Sequence, residues 1–259
     1  MSLNWMETDS LPFNSLLLLE QAQINWFPSF NLPLAEFATA LRANPAVEWF
    51  LRHKCPNIEP WLEDVLQQHL KDLPDLREAE KAVLRKFVDL LVYALNPEVY
   101  DAQPFLNWDS DELTRLADFK GKTVIDVGSG TGRQAFIAAA EADVVYAVEP
   151  VTNLRNYIRH KAASRGVSNL FAVDGLITSI PFPDGFADVT MGGHVFGDEL
   201  EAEWAELKRV TRPGGMVILC PGNDDADNEI HRFLFDQGCQ WGRFEEPGDG
   251  WKRKYWLVR

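Results

Sequence analysis

The sequence predicts an α/β protein in which a mainly helical region precedes a mostly parallel sheet flanked by helices. Over residues 1–110, apolar residues recur at helical spacing and prolines interrupt the pattern. From Lys122 onward, short apolar runs alternate with helical segments, as in repeated strand-helix-strand units. We therefore expect a helical N-terminal region, 1–110, and a sheet-containing domain, 111–259.

In the N-terminal region, the clearest element lies between Glu78 and Leu95, where an apolar stripe with helical spacing predicts one helix that Asn96-Pro97 stops. The region also holds five of the nine tryptophans, more aromatic surface than a few short helices can bury among themselves. They are Trp5, Trp26, Trp49, Trp61 and Trp108. We therefore expect this region to act as a lid and to form walls of a substrate pocket, with a simple packing extension as the alternative.

The predicted sheet begins after a lead-in helix from Asp111 to Phe119, for which Ser110 is the predicted N-cap. Seven strands are expected, at 122–125, 143–148, 169–173, 186–191, 216–221, 240–246 and 252–258. Helices are expected between them at about 134–140, 151–164, 198–211 and 225–237. This alternation predicts a parallel sheet with helices on both faces.

A glycine-rich turn follows the first strand, with glycines at alternate positions in the run 126–132, which reads Asp-Val-Gly-Ser-Gly-Thr-Gly. Glycine is needed where a Cβ would block a close approach or where φ must be positive. The dinucleotide pattern G-x-G-x-x-G would need glycine at 133, which is Arg133, so an NAD-dependent oxidoreductase fits poorly. Asp126 either supports this loop or partners the start of the following helix.

Acidic residues end the next two strands: Glu149 lies 23 positions after Asp126, and Asp174-Gly175 follows the third strand. A carboxylate at a rigid strand end can accept both hydroxyls of a ribose. Taken singly, each residue could equally be a solvated strand end. The fourth strand opens into a short loop, Gly192-Gly193-His194.

Taken together, the acidic glycine loop, Glu149, Asp174 and the Pro213-Gly214-Gly215 segment resemble the class I S-adenosylmethionine-dependent methyltransferases, with a type 11-like core of the small-molecule kind. The resemblance covers about 121–221. It implies a Rossmann-like, seven-stranded sheet whose last two strands form an antiparallel hairpin. It also implies S-adenosylmethionine as the cofactor, held by Asp126, Gly128, Ser129, Gly130, Glu149, Asp174, Gly175 and Gly192.

The loop after the fourth strand faces the substrate in that family, which makes His194 the candidate catalytic residue. A base there would serve a hydroxyl or a protonated amine acceptor. The alternative is that His194 orders the loop or caps the helix near Asp198-Glu199. Tyr157 is a weaker candidate base. We expect methyl transfer to a small molecule, with a protein substrate or cofactor binding without turnover as alternatives.

The formal net charge is −14, and both regions are acidic, which disfavours nucleic-acid partners. The run 252–254, Lys-Arg-Lys, is expected to be a solvated face of a strand. The three cysteines and five histidines lack metal-ligand spacing, so no metal site is expected. The sequence shows neither an export signal nor a long apolar run, which predicts a soluble, cytoplasmic protein without a membrane span.

Overall fold

The computed structural model describes residues 6–71 and 73–259 and divides into two compact units, Met1–Tyr100 and Asp101–Arg259. This division falls ten residues before the expected boundary at 110. The side chain of Asp101 binds two residues of the second unit, Lys161 at 2.7 Å and the Tyr157 hydroxyl at 2.9 Å. The lid role of residues 1–110 stays a prediction.

The first unit is helical. Its helices are α1 (Gln21–Asn25), α2 (Leu34–Ala43), α3 (Pro45–Lys54), α4 (Glu59–Gln68), α5 (Leu76–Lys86), α6 (Val88–Leu95) and α7 (Pro97–Asp101), which ends at the division. Three phenylalanines centre its core: the Phe87 ring stacks on Phe27 at 4.1 Å and meets Phe37 edge-on at 6.3 Å. Trp26 and Trp49 are exposed. Trp5 lies outside the described residues.

The single helix expected from Glu78 to Leu95 is wrong, because the structure has two helices, α5 and α6, separated at Phe87. Phe87 leaves helical geometry, with φ −98° and ψ 12°, and its side chain is fully buried in the phenylalanine core. The apolar spacing continues across the break because both helices bury the same kind of face. Periodicity therefore predicted the burial correctly and missed the bend.

The second unit is built on one seven-stranded sheet, as predicted. Its strands are β1 (Thr123–Val127), β2 (Val144–Val148), β3 (Leu170–Val173), β4 (Ala187–Gly192), β5 (Thr211–Asp224), β6 (Gln240–Glu246) and β7 (Gly250–Val258). The order is β3-β2-β1-β4-β5-β7-β6. The first five strands pair in parallel, while β7 pairs antiparallel with both β5 and β6.

Helices of the second unit connect the strands and cover the sheet. They are α8 (Asp111–Thr114), α9 (Arg133–Ala139), α10 (Thr152–Arg165), α11 (Leu200–Val210) and α12 (Glu229–Asp236). Separate apolar cores lie against the sheet, one including Val124 and Ala135 and the other including Ile125 and Leu207. The strand order reverses between β1 and β4, and in open parallel sheets ligands bind at the carboxyl ends of strands beside such a reversal.

The lead-in helix is shorter than expected, since α8 covers only Asp111–Thr114. Ser110 makes no side-chain cap, because its own φ and ψ are helical and a capping residue needs extended geometry. The Asp109 carboxylate accepts from the Asp111 N–H instead, at 3.0 Å. Trp108, just before this turn, is buried in the core of the second unit and packs against Phe244.

The expectation that Lys252, Arg253 and Lys254 form a solvated face is wrong, because all three are no more than 8% exposed. Each is held by an acidic partner at ion-pair distance. Lys252 binds Asp224 and Asp249, Arg253 binds Asp225 and Asp227, and Lys254 binds Glu112. The basic run therefore links β7 to neighbouring segments of the second unit. Within the described part of the chain, no helix is long and apolar enough to cross a membrane.

Candidate cofactor and acceptor site

The glycine loop joins the end of β1 to the start of α9. Gly128, Gly130 and Gly132 have φ of 63°, 54° and 85°, a region that side chains other than glycine rarely enter. A Cβ on Gly128 would also lie 2.7 Å from the Cβ of Val195, in the loop after β4. Glycine is therefore required at 128 both by conformation and by the packing of a neighbouring loop.

Asp126 supports this loop from inside the sheet. It is 1% exposed, and its Oδ2 accepts from the Ala135 N–H at 3.0 Å, in the first turn of α9. The backbone oxygen of Asp126 accepts from the Ser129 hydroxyl at 2.6 Å. Burial raises the pKa of the Asp126 carboxyl to about 7. The helix-partner interpretation of Asp126 therefore describes what the side chain does in the structure.

Glu149, at the end of β2, is 4% exposed, and its carboxylate links this strand end to the glycine loop and to the segment before α10. Its Oε2 accepts from the Gly130 N–H and its Oε1 from the Val151 N–H, both at 2.9 Å. Burial raises its pKa to about 7, against the lowering effect of those two N–H groups and of Arg155. Each carboxylate oxygen keeps a second lone pair, so the residue can fix the loop and still accept a ligand hydroxyl.

Asp174 lies at the end of β3 and is far more exposed, with 75% of its side chain accessible. Its Oδ1 pairs with Arg155 Nη1 at 2.8 Å, and the same nitrogen donates to the Glu149 backbone oxygen at 2.7 Å. Arg155 thus links the ends of β2 and β3, a role that the sequence analysis missed. A basic residue one turn into the helix after an acidic strand end was the available signal.

The glycines beside these carboxylates leave room for neighbouring atoms to pack closely against the backbone. A Cβ on Gly175 would lie 2.7 Å from Val148 Cγ1, and one on Gly192 would lie 2.9 Å from the Val127 oxygen. A Cβ on Gly193 would overlap the side-chain nitrogen of Gln134. Gln134 is 6% exposed, and its Oε1 has no hydrogen-bond partner among the described residues. This amide oxygen is a buried polar atom beside the loop that leads to His194.

His194 is held from three sides. It has φ of 54°, unique among the described non-glycine residues, and its N–H donates to the Pro221 oxygen at 2.9 Å. Its Nε2 lies 2.8 Å from Oε1 of Glu246, which is fully buried at the end of β6. The Phe105 ring meets the imidazole edge-on, with centroids 6.0 Å apart.

His194 does not cap the following helix, so the capping part of the alternative is wrong, whereas the part in which it orders the loop stays open. The backbone N–H groups of Gly197, Asp198 and Glu199 donate to the carboxylate of Glu203, which is 1% exposed. Glu246 was missed because it lies 52 residues after its partner, and no local pattern joins the two. In the described residues, no group of three or more His, Cys, Asp or Glu side chains could hold a metal ion.

Comparison with known proteins places this unit in a family. Residues 125–219 match the family model described as a methyltransferase domain. A demethylmenaquinone methyltransferase of Geobacillus kaustophilus is 35% identical over 122 residues, which cover 44% of this chain and 50% of the relative. An uncharacterized methyltransferase of the same organism is 27% identical over 188 residues, covering 67% of this chain and 83% of the relative.

Among solved structures, an S-adenosylmethionine-dependent methyltransferase from Aquifex aeolicus has the same fold, with a TM-score of 0.51. It is 22% identical, and the match covers 64% of this chain and 100% of that one. The chain spans about half the length of the demethylmenaquinone methyltransferase that it matches. The sheet order, the glycine loop and these matches identify the part of the second unit that includes residues 125–219 as a class I S-adenosylmethionine-dependent methyltransferase domain.

S-adenosylmethionine is the cofactor of this class, and the residues present fit it. The loop glycines adopt positive φ and have no Cβ, so the loop backbone can approach a ligand closely, and Glu149 offers accepting lone pairs at a buried strand end. That the loop glycines with Ser129, together with Glu149, Asp174, Gly175 and Gly192, hold the cofactor stays a prediction. Whether or not these residues hold the cofactor, Asp126 supports the loop through its hydrogen bond with the Ala135 N–H.

Proposed function

We propose that this protein transfers the methyl group of S-adenosylmethionine to a small, largely apolar or aromatic molecule. The bound cofactor supplies a sulfonium-activated methyl group, and the protein supplies orientation and exclusion of water. The observation that carries the proposal is the arrangement at the carboxyl ends of the strands. The glycine loop, at Gly128, lies against Val195, and the ring of the adjacent His194 packs against aromatic Phe105.

Two further observations support a small molecule over a macromolecule. The net charge of −14 disfavours a phosphate backbone as the substrate. The 35% identical relative carries the name of a demethylmenaquinone methyltransferase, so its named substrate is a small molecule. The partly buried ring of Phe105, beside His194, suits a planar or apolar acceptor, because an aromatic ring offers contact area and few hydrogen bonds.

The test is incubation of the purified protein with methyl-labelled S-adenosylmethionine and a fractionated metabolite extract. We expect the label in a small, extractable, apolar product. The matched negative control is Gly128→Ala, because a Cβ at that position overlaps Val195. Gly121→Ala is the matched positive control, since Gly121 also has positive φ, at 68°, but no heavy atom lies within 4 Å of its added Cβ.

Other outcomes separate the alternatives. Label that enters only the protein fraction would support a protein methyltransferase. Tight binding of S-adenosylhomocysteine without any labelled product would support a cofactor-binding protein that has no turnover. Failure to bind S-adenosylhomocysteine at all would contradict both the proposal and the assigned cofactor.

A further inference from the structure

We propose that Glu246 positions His194, holding the imidazole with its proton on Nε2 and leaving Nδ1 as the base for a hydroxyl group of the acceptor. This inference rests on the proposed function and adds the accepting atom, oxygen. Glu246 is a positioning residue because it acts through His194, whereas His194 is the catalytic residue.

The contact between the two residues sets the direction of the hydrogen bond. Oε1 of Glu246 lies 2.8 Å from Nε2 of His194, and an ionised carboxylate can only accept. With Glu246 as the ionised acceptor, the proposal has Nε2 donating and the neutral ring carrying its lone pair on Nδ1. The other oxygen, Oε2, is buried and has no hydrogen-bond partner among the described residues. His194 is thus the side-chain partner that the structure gives this buried carboxylate.

The backbone at His194 is held in a conformation that a residue with a Cβ avoids. Its φ of 54° is maintained by the hydrogen bond from its N–H to the Pro221 oxygen and by the Glu246 contact on its ring. Such conformations persist where the surroundings determine them, and they cluster at functional sites. If the histidine only filled space in this loop, glycine or asparagine would serve as well, because both adopt positive φ with less strain.

The surroundings favour a hydroxyl as the group that meets Nδ1. The Phe105 ring stands at 87° to the imidazole and supplies an apolar wall, beside which a neutral hydroxyl is cheaper to desolvate than an ammonium group. A hydroxyl also has a proton to lose, so a base is useful to it. Gln134, whose Oε1 lacks a partner in the described structure, lies against Gly193, the residue before His194.

With an alcohol or phenol as acceptor, a methyl group and a proton are transferred in the same step. The hydroxyl oxygen forms a bond to the methyl carbon while the carbon–sulfur bond breaks, and the electron pair of that bond stays on sulfur as a neutral thioether. The hydroxyl proton moves to Nδ1 of His194, and the resulting imidazolium is stabilised by the Glu246 carboxylate. His194 then returns the proton to solvent.

The pairing is tested by NMR on protein labelled with ¹⁵N-histidine. We expect a downfield imidazole N–H proton on Nε2 of His194, because a hydrogen bond to a buried carboxylate slows its exchange with water. His194→Gln assigns the signal. Glu246→Leu should remove it, whereas Glu245→Gln, on an exposed neighbour in the same strand, should keep it. His231, whose Nδ1 contacts the Tyr255 hydroxyl at 3.1 Å, is the internal reference.

Two NMR results would overturn the pairing: a protected proton on Nδ1 of His194, or a signal on Nε2 that survives in Glu246→Leu. Because Glu246→Leu could also disturb folding, the His231 signals serve as a folding check in the same sample. Glu246→Asp adds a graded variant, since its shorter side chain should weaken the protection without removing the carboxylate.

The base role is tested with the acceptor that the metabolite screen identifies. We expect His194→Gln to lower kcat by about 10²- to 10⁴-fold, the usual contribution of a positioned base, and Glu246→Leu to lower it less. Neither variant should change the dissociation constant of S-adenosylhomocysteine. A product methylated on carbon, nitrogen or sulfur, or an unchanged kcat, would overturn the inference. A wild-type protein without turnover would instead contradict the proposed function, while the N–H signal still reports the pairing.

Discussion

The two halves of the sheet's carboxyl edge, the proposed cofactor half and the proposed acceptor half, hold their candidate site residues in different ways. In the cofactor half, at the ends of β1 and β2, Asp126 and Glu149 bind backbone N–H groups that lie within 9 and 19 residues of them. In the acceptor half, His194 binds the side chain of Glu246, 52 residues away. In the first half, buried carboxylates thus hold backbone groups in place. In the second half, one side chain orients another.

This difference has a functional meaning. A cofactor with a constant shape is served by backbone that cannot rearrange, because its peptide groups have fixed positions. An acceptor site in a fold that serves many substrates is set by side chains, which substitution can alter without rebuilding the loop. Substitutions in each half test whether the proposed cofactor half works independently of the proposed acceptor half.

The largest effect is expected for Gly128→Ala, where the two halves touch. The new Cβ would lie 2.7 Å from the Cβ of Val195, and the residue would need positive φ. Overpacking costs about 1–3 kcal/mol and left-handed backbone about 1–2 kcal/mol, so the free energy of unfolding should fall markedly. We expect calorimetry to show no binding of S-adenosylhomocysteine under conditions where the wild-type protein is saturated.

Controls separate the two causes. Gly121→Ala carries the conformational cost alone, since its Cβ would meet nothing within 4 Å, and it should bind the cofactor normally. Adding Val195→Ala to Gly128→Ala should recover part of the stability and of the affinity. A double variant no better than Gly128→Ala would show that Val195 is not the obstacle, and that the added Cβ blocks the ligand itself.

The sheet order and the cofactor half could be predicted from the sequence because their signals are local. Asp126, the alternating glycines and Glu149 lie on consecutive elements of one strand-helix-strand unit, so their spacing carries the geometry. Glu246 could not be found this way, since a pairing between distant strands leaves no periodic trace. Lys252, Arg253 and Lys254 were misread for the same reason, because their acidic partners lie on other segments.

The next effect is on cofactor affinity in Glu149→Ala, which we expect to weaken binding by about 1.5–3 kcal/mol, the range for hydrogen bonds to charged groups. The variant also loses the acceptor for the Gly130 and Val151 N–H groups, so its melting temperature should fall as well. Isothermal titration with S-adenosylhomocysteine measures the first and thermal unfolding the second. Glu141→Ala, at an exposed carboxylate, is the control. Unchanged affinity would remove Glu149 from the cofactor site.

Cofactor affinity should also depend on pH around neutrality. Burial raises the pKa of the Glu149 carboxyl to about 7, above its value of about 4.5 in the unfolded chain. Between these two pH values, Glu149 therefore keeps its proton in the folded protein and loses it in the unfolded chain. Stability from this group is therefore greatest below about pH 4.5 and declines as pH rises towards 7. An ionised carboxylate accepts from ribose hydroxyls more strongly than a protonated one, so cofactor binding through Glu149 should tighten as pH rises from about 6 to 8, by at most about tenfold per unit.

Other charged groups around Glu149 make a control necessary. Arg155 and Asp174 act on it, and buried Asp126, whose pKa is also raised to about 7, lies near enough to interact. Glu149→Gln keeps the side-chain size and removes one titration, so the pH slope of binding should become shallower in that variant. An unchanged slope would assign the dependence to Asp126 and leave Glu149 without a measurable titration.

The smallest effect is expected for Asp174→Ala, although the resemblance implies that Asp174 helps to hold the cofactor. Its side chain is 75% exposed and already paired with Arg155, and exposed pairs contribute about 0–1 kcal/mol. The sharpest measurement compares S-adenosylhomocysteine with its inosyl analogue, which lacks the exocyclic amine. If Asp174 accepts from that amine, the wild-type protein prefers the adenosyl form and Asp174→Ala loses the preference. A preference that survives in the variant would leave Asp174 only its ion pair with Arg155, and the cofactor half would then depend on buried carboxylates alone.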